Sequence, residues 1–381
     1  LKPQLPPLSL YIHIPWCVRK CPYCDFNSHG IGQLDPPEDA YIEAVKTDLE
    51  LSAPQAQGRK LQSIFFGGGT PSLFSDRAIG RLLEAADQSI GIEKSAEITL
   101  EANPGTFEQK KFAGFRQAGV NRLSIGIQSF AGENLESLGR IHNAEEALGS
   151  VSIARRAGFD NINLDLMFGL PNQDLAQAME DLEQAMQLHP EHISWYELTI
   201  EPNTEFYNKP PAQPDNDELA DISAAGIALL ENRGYQRYET SAFAERGMES
   251  RHNLNYWRFG DYLGVGAGAH GKYTNAYTGE IIRESKTRLP RHYMDRIGSY
   301  VAKSEPVLEQ DLLGEYMMNA LRLINGVSLE EAAMYTGLGV DQIKSACQIG
   351  IQRELVVLDE NLLRPTEQGQ RLLNLCLQSF L

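Results

Sequence analysis

The chain has 381 residues, 42% of them hydrophobic, and a formal charge of -17 at pH 7. That is enough apolar material for one large domain and a smaller one, and the negative field opposes binding to a phosphate backbone or an anionic lipid surface unless a local basic patch overrides it. No apolar run reaches about eighteen residues, and no basic segment leads an apolar core and cleavage site, so the sequence predicts neither a membrane span nor an export signal. Cys17, Cys21, Cys24, Cys347 and Cys376 are an odd set with three members packed together, a poor disulfide framework and a good metal-ligand cluster. A reducing, cytoplasmic setting is expected.

In chain order the strand-like runs are LSLYIHI, SIFFGGG, EITLEA, RLSIGIQ, NINLDLM and ISWYELTI. Between them lie stretches of helical period: YIEAVKTDLELS, AIGRLLEAADQSI, EQKKFAGFRQAG, EEALGSVSIARRAG and LAQAMEDLEQAMQLH. Alternating strand and helix predicts an α/β fold with a parallel sheet. Six such units fall short of the eight that close a full barrel, so an open (β/α)6 partial barrel is expected, with a flat doubly wound sheet as the alternative. Polar residues favour the barrel. The three cysteines follow strand one, Gly67 to Pro71 follow strand two, Glu101 and Asn103 end strand three, and Gln128 ends strand four. Asp165 and Thr199 lie towards the ends of strands five and six, so all six strands aim chemistry at the C-terminal face.

After Pro202 the character changes. PPAQPDND reads as a linker into a helix from Glu218 to Arg233, followed by strand-like YQRYETSAF and the segment HNLNYWRFGDYLGVGAGAHG. From about Leu312 a helical part ends in a hairpin, ELVVLDENLLRPT, which suggests a winged-helix-like module. The division predicted is 1–205 for the barrel, 206–305 for a linking α+β region and 306–381 for the module. Leu312 to Leu381 contains five Lys/Arg against eight Asp/Glu, a net of -3, so packing is favoured over DNA binding.

Cys17, Cys21 and Cys24 sit on one short loop and can hold three irons of a [4Fe–4S] cubane, leaving the fourth open to the amino and carboxylate groups of S-adenosylmethionine (SAM). Arg19 and Lys20 favour thiolates there. A zinc site using His13 or His29 is the competing reading. Gly67, Gly68 and Gly69 let backbone approach a ligand, or merely turn a strand into a helix. Glu101 or Asp165 could accept from ribose hydroxyls or an ammonium, and Arg140 could pair with a carboxylate. In His252-Asn253-Leu254-Asn255-Tyr256-Trp257 an imidazole stands beside two aromatic rings, the makings of a haem ligand or of a packed core histidine; His270 is the other local candidate. Cys347 and Cys376 read as small core residues.

HIPWCVRKCPYCDF, GGGTP, EANPG, IGIQSF and DLMFGLP, in this order, resemble the radical SAM proteins related to oxygen-independent coproporphyrinogen III dehydrogenase, and HNLNYW resembles the haem-chaperone branch of that family. The resemblance spans essentially the whole chain. It implies that Tyr11, Tyr23, Gly68, Gly69, Thr70, Glu101, Gln128, Arg140, Asp165 and Thr199 line one or two SAM sites, and that His252 belongs to a haem site. It also implies haem or a porphyrin as ligand, a haem-acceptor protein, an electron donor and a homodimer. The dehydrogenase pattern continues with a fourth cysteine where this chain has Phe26, and the dehydrogenases carry an N-terminal extension before strand one. Both differences favour haem delivery over formation of protoporphyrinogen IX, the enzymatic alternative. A DNA-binding regulator sensing iron through the cluster is the third reading.

Overall fold

A computed structural model describes residues 3–32 and 34–380. The six expected strands form as β1 Leu8–Ile14, β2 Leu61–Gly68, β3 Ile92–Ala102, β4 Arg122–Gln128, β5 Ile162–Phe168 and β6 His192–Glu197, all parallel and in sequence order. Alternation along each strand divides two jobs. Leu10, Ile12, Ile64, Phe66, Leu100, Leu123, Ile125, Leu164 and Leu166 are fully buried in the main core with the helices. The intervening positions are polar and bond one another: Ser9 to Ser63 at 2.7 Å, Ser124 to Asp165 at 2.8 Å, and Asn163 to His192 at 2.6 Å. The barrel lumen is therefore a polar channel rather than a packed core.

The helices follow the sequence pattern with one break. EQKKFAGFRQAG divides into Thr106–Gln109 and Phe112–Ala118, the latter ended by Gly119 at φ 115°. Capping boxes start the helices Ala144–Arg156, Leu175–Gln187 and Asn216–Asn232, where Asn143, Asp174 and Asp215 each exchange bonds with the residue three places on.

Beyond β6 the strand-like YQRYETSAF forms a hairpin, and the sheet then grows on its other edge in a way the sequence reading did not anticipate. A hairpin of β7 Gln236–Glu239 and β8 Ala242–Ala244 adds antiparallel to β6. A seventh parallel strand, β9 Asp261–Val265, pairs with β1 on the edge away from β2, and β10 His270–Thr274, β11 Ile281–Lys286 and β12 Val301–Pro306 continue as an antiparallel meander. Among the described residues the sheet order is β12-β11-β10-β9-β1-β2-β3-β4-β5-β6-β8-β7. Asp261 fixes β9: its carboxylate meets Arg59 at 2.7 Å and Lys272 at 3.0 Å and accepts from Thr274.

The C-terminal module has its own core of Tyr316, Met317, Leu329, Ile343, Leu355 and Leu363, with both distal cysteines, Cys347 and Cys376, fully buried in it. The expected hairpin forms from Val356–Asp359 and Leu362–Pro365, joined by Val327–Ser328 in a small sheet beside the helices Glu309–Ala320, Leu329–Thr336 and Val340–Ala346. This module attaches to the free edge of β7 through a Glu239–Leu323 bridge and an Ile324 N–H to Tyr238 carbonyl bond of 3.1 Å. No helix among the described residues is long and apolar enough to cross a membrane.

Candidate functional site

The cysteine loop is pinned before it presents a thiol. Trp16–Cys17 pairs with His29–Gly30, Ile31 donates to the Cys17 carbonyl at 2.9 Å, and Phe206 donates to the Pro22 carbonyl at 3.0 Å. The loop after β2 locks on from the other side, Gly69 donating to Ile14 and Thr70 to Trp16, each at 2.7 Å. A Cβ on Gly69 would lie 2.5 Å from the Trp16 carbonyl oxygen, and one on Gly68, at φ 117°, would lie 2.5 Å from the His13 ring. These glycines let two loops of the protein touch, a reason distinct from approach to a ligand, and both also line the cavity.

That cavity, about 700 Å³, holds Cys17, Cys21, Cys24, Tyr23, Gly68, Gly69, Thr70, Glu101, Gln128, Arg140, Asp165 and Thr199 on its wall. The structure thus brings together every predicted residue except Tyr11 and His252. Tyr11 hydrogen-bonds His13 Nδ1 at 3.0 Å and stacks near Phe65 rather than lining the space, because His13 and Phe65 take up its hydroxyl and ring. His252, 1% exposed, spends one nitrogen on Ser63 at 3.1 Å and the other on Tyr256 at 2.9 Å. Burial, with Arg122 nearby, pushes its imidazole down to about 3. It is a satisfied interior histidine and does not reach the cavity. His270 is exposed on β10 and is also absent from the lining.

Four of the polar cavity residues are held by neighbours. Arg140 reaches Cys21 Sγ at 3.8 Å, Asn103 at 2.6 Å and the Gly126 carbonyl at 2.8 Å, leaving Nε buried without a partner among the described residues. Gln128, at φ 68°, accepts from the Tyr196 hydroxyl at 2.8 Å. Glu101 accepts from the Gly68 N–H at 3.2 Å, and burial followed by repulsion from Asp165 pushes its carboxyl up to about 8. Burial also raises Asp165, against the bonds donated by Ser124 and Asn163. Two neighbouring buried carboxyls that resist ionisation suit a cationic ligand.

Residues present fit an iron–sulfur cluster. Burial raises the Cys17 and Cys24 thiols, so as thiolates they need positive charge beside them, which iron ions would supply together with Lys20 near Cys24. Open space beside the thiols, with Glu101, Asp165 and Arg140 around it, fits a zwitterionic amino acid.

The sequence reading missed several lining residues. Ser124 and Ser194 continue the same alternate rows as Gln128 and Tyr196 down β4 and β6, a pattern visible in the strands. Glu239, Ser241, Asn253, Trp257 and Arg322 arrive from the hairpin, the HNLNYW helix and the module, and only tertiary docking reveals them.

Residues 11–185 match the radical SAM superfamily and residues 307–372 the HemN C-terminal domain. The haem chaperone HemW of Haemophilus influenzae is 51% identical over 100% of this chain and 99% of its own length, and HemW of Escherichia coli is 48% identical over 99% of each. The chain belongs to the HemW family. The radical SAM coproporphyrinogen III oxidase HemN of Escherichia coli, 23% identical, superposes with a TM-score of 0.82 over 99% of this chain and 90% of that one, so the HemW family member described here shares the HemN fold.

Proposed function

We propose that this protein binds haem and hands it to acceptor proteins, on a scaffold that holds a [4Fe–4S] cluster and SAM. The observation that carries the reading is 48–51% identity to HemW chaperones over the full length of the chain, combined with a polar lumen that has the three cysteines at one end. Cys17, Cys21 and Cys24 would hold the cluster. Gly68, Gly69 and Thr70 would bond the amino-acid part of SAM, Glu101 and Asp165 would take its ammonium or ribose hydroxyls, and Arg140 its carboxylate, with Tyr23, Gln128 and Thr199 completing the wall. When bound, cluster and SAM supply one-electron chemistry at the sulfonium. Haem would lie against Trp257, which the HNLNYW helix presents to the cavity, rather than on His252. The setting proposed is the cytoplasm, with an electron donor, an acceptor haemoprotein and a second copy of the chain as partners, and no nucleic acid.

Phe26, 59% exposed on the cavity rim, supports delivery over oxidation, since it stands where the dehydrogenase pattern has a cysteine. Anaerobically reconstituted protein is expected to retain haem, pass it to an apo-haemoprotein and leave coproporphyrinogen III unchanged in the presence of SAM and a reductant. Multiple-turnover formation of protoporphyrinogen IX would establish the enzymatic alternative.

A further inference from the structure

The cavity does not stop at the SAM-binding wall. Its lining descends from Gln128 to Gly126 to Ser124 along β4 and from Tyr196 to Ser194 along β6, then meets Glu239, Ser241, Asn253, Trp257 and Arg322. Arg322 comes from the C-terminal module, in the turn after the helix Glu309–Ala320. The turn is rigidly placed: Leu323 bridges Glu239, Ile324 donates to Tyr238, and the Arg322 carbonyl accepts from Thr240 at 3.4 Å. The lumen's far wall is thus incomplete without the module.

Arg322 is attracted to the Glu239 carboxyl, yet it is only partly engaged by hydrogen bonds in this cavity. Six carboxyl residues (Asp25, Glu101, Asp165, Glu197, Glu201, Glu239) and three arginines (Arg19, Arg140, Arg322) line the cavity. Arg140 is committed to Cys21, Asn103 and Gly126. Arg322 gives only its Nε, to the Met318 carbonyl at 3.3 Å, and lies 5.0 Å over the Trp257 ring; its terminal nitrogens meet no acceptor among the described residues. Trp257 also holds an indole N–H that is buried and meets no acceptor among the described residues. A guanidinium fork matches a planar carboxylate, and an indole face matches a flat conjugated ring. One ligand class carries both groups, and Arg322 is the guanidinium at this end of the lumen, Arg19 and Arg140 lying with the cysteine loop.

We propose that Arg322 receives a propionate carboxylate of haem at the far wall of the lumen while Trp257 packs against the macrocycle. The proposal rests on the haem-carrier reading and adds the group of the cargo that is recognised and the module that recognises it. It is tested by absorbance titration of reconstituted protein, wild type, Arg322→Gln and Arg322→Lys, with haem, protoporphyrin IX and the dimethyl ester of each. Arg322→Gln is expected to weaken haem and protoporphyrin IX about tenfold to a hundredfold. The esters should bind wild type as weakly as haem binds that variant and ignore the substitution, and Arg322→Lys should recover part of the loss for the free acids alone. Iron content in each variant reports that the fold is intact. Equal affinity of wild type and Arg322→Gln for haem, or equal weakening of acids and esters, would overturn the propionate contact and leave the carrier reading standing. No saturable haem binding by wild type would remove both.

Discussion

Glu101 is a carboxyl held partly in its neutral form by its surroundings. Its ordinary value of 4.5 is raised to about 8 by burial and by Asp165. An acid raised on folding contributes stability that is fully present below the unfolded value and lost as pH rises through the folded one. This carboxyl should therefore cost the protein stability as pH rises from about 4.5 to about 8, and Glu101→Gln should flatten that loss in thermal unfolding across the same range. Identical pH profiles for the two proteins would show that Glu101 ionises freely. His252 gives a contrasting case. Removing its ring in His252→Ala leaves the Tyr256 hydroxyl without that partner and Ser63 with Ser9 alone, at a cost of about 1–3 kcal/mol, and is expected to lower the melting temperature while leaving the haem Soret maximum in place. A displaced maximum would mean that His252 leaves those bonds to reach iron. An imidazole beside two aromatic rings looks the same in sequence whether it faces a ligand or a serine, because Ser63 lies 189 positions away.

The cysteine loop and the loop after β2 behave as one element. Cys17→Ala, Cys21→Ala and Cys24→Ala should each abolish iron in the anaerobically reconstituted protein, whereas Cys347→Ala and Cys376→Ala, confined to the module's core, should keep it. Gly69→Ala is the subtler probe. Its methyl would meet the Trp16 carbonyl at 2.5 Å, forcing the two loops apart at a cost of about 1–3 kcal/mol. Iron retention should fall with the melting temperature, although no ligand is altered; full retention would show that the loops can yield. At this scale the sequence was informative. Six strands and the residues at their C-terminal ends were readable because alternation and turn residues are local signals. β9 was not, since DYLGV is short and only its distant partners Leu8, Leu10 and Ile12 mark it as a parallel strand. Arg322 was hidden for the same reason: nothing around it in the chain points at Glu239 or Trp257.

At the scale of the molecule, Asp261 joins parts that are far apart in sequence. It holds Arg59, which in turn bonds the Pro6 carbonyl, and Lys272, which is 2% exposed. Asp261→Asn leaves two cations with a neutral partner in the interior, where breaking such a pair typically costs about 3–5 kcal/mol. A loss of that size is expected in denaturant unfolding, and a loss under about 1 kcal/mol would show that β9 is anchored by its ladder alone. The position of β9 also bears on how the protein is made. β1 is synthesised before the other strands of the sheet, yet the strand that covers one of its edges begins at Asp261, so most of the barrel is made while that edge lacks β9. Contacts of such long sequence separation form slowly, and an uncovered strand is a template for pairing with another chain. The nascent protein therefore passes through a stage in which its cysteine loop, directly after β1, hangs from an unfinished sheet, and productive metal loading belongs after translation has passed the middle region.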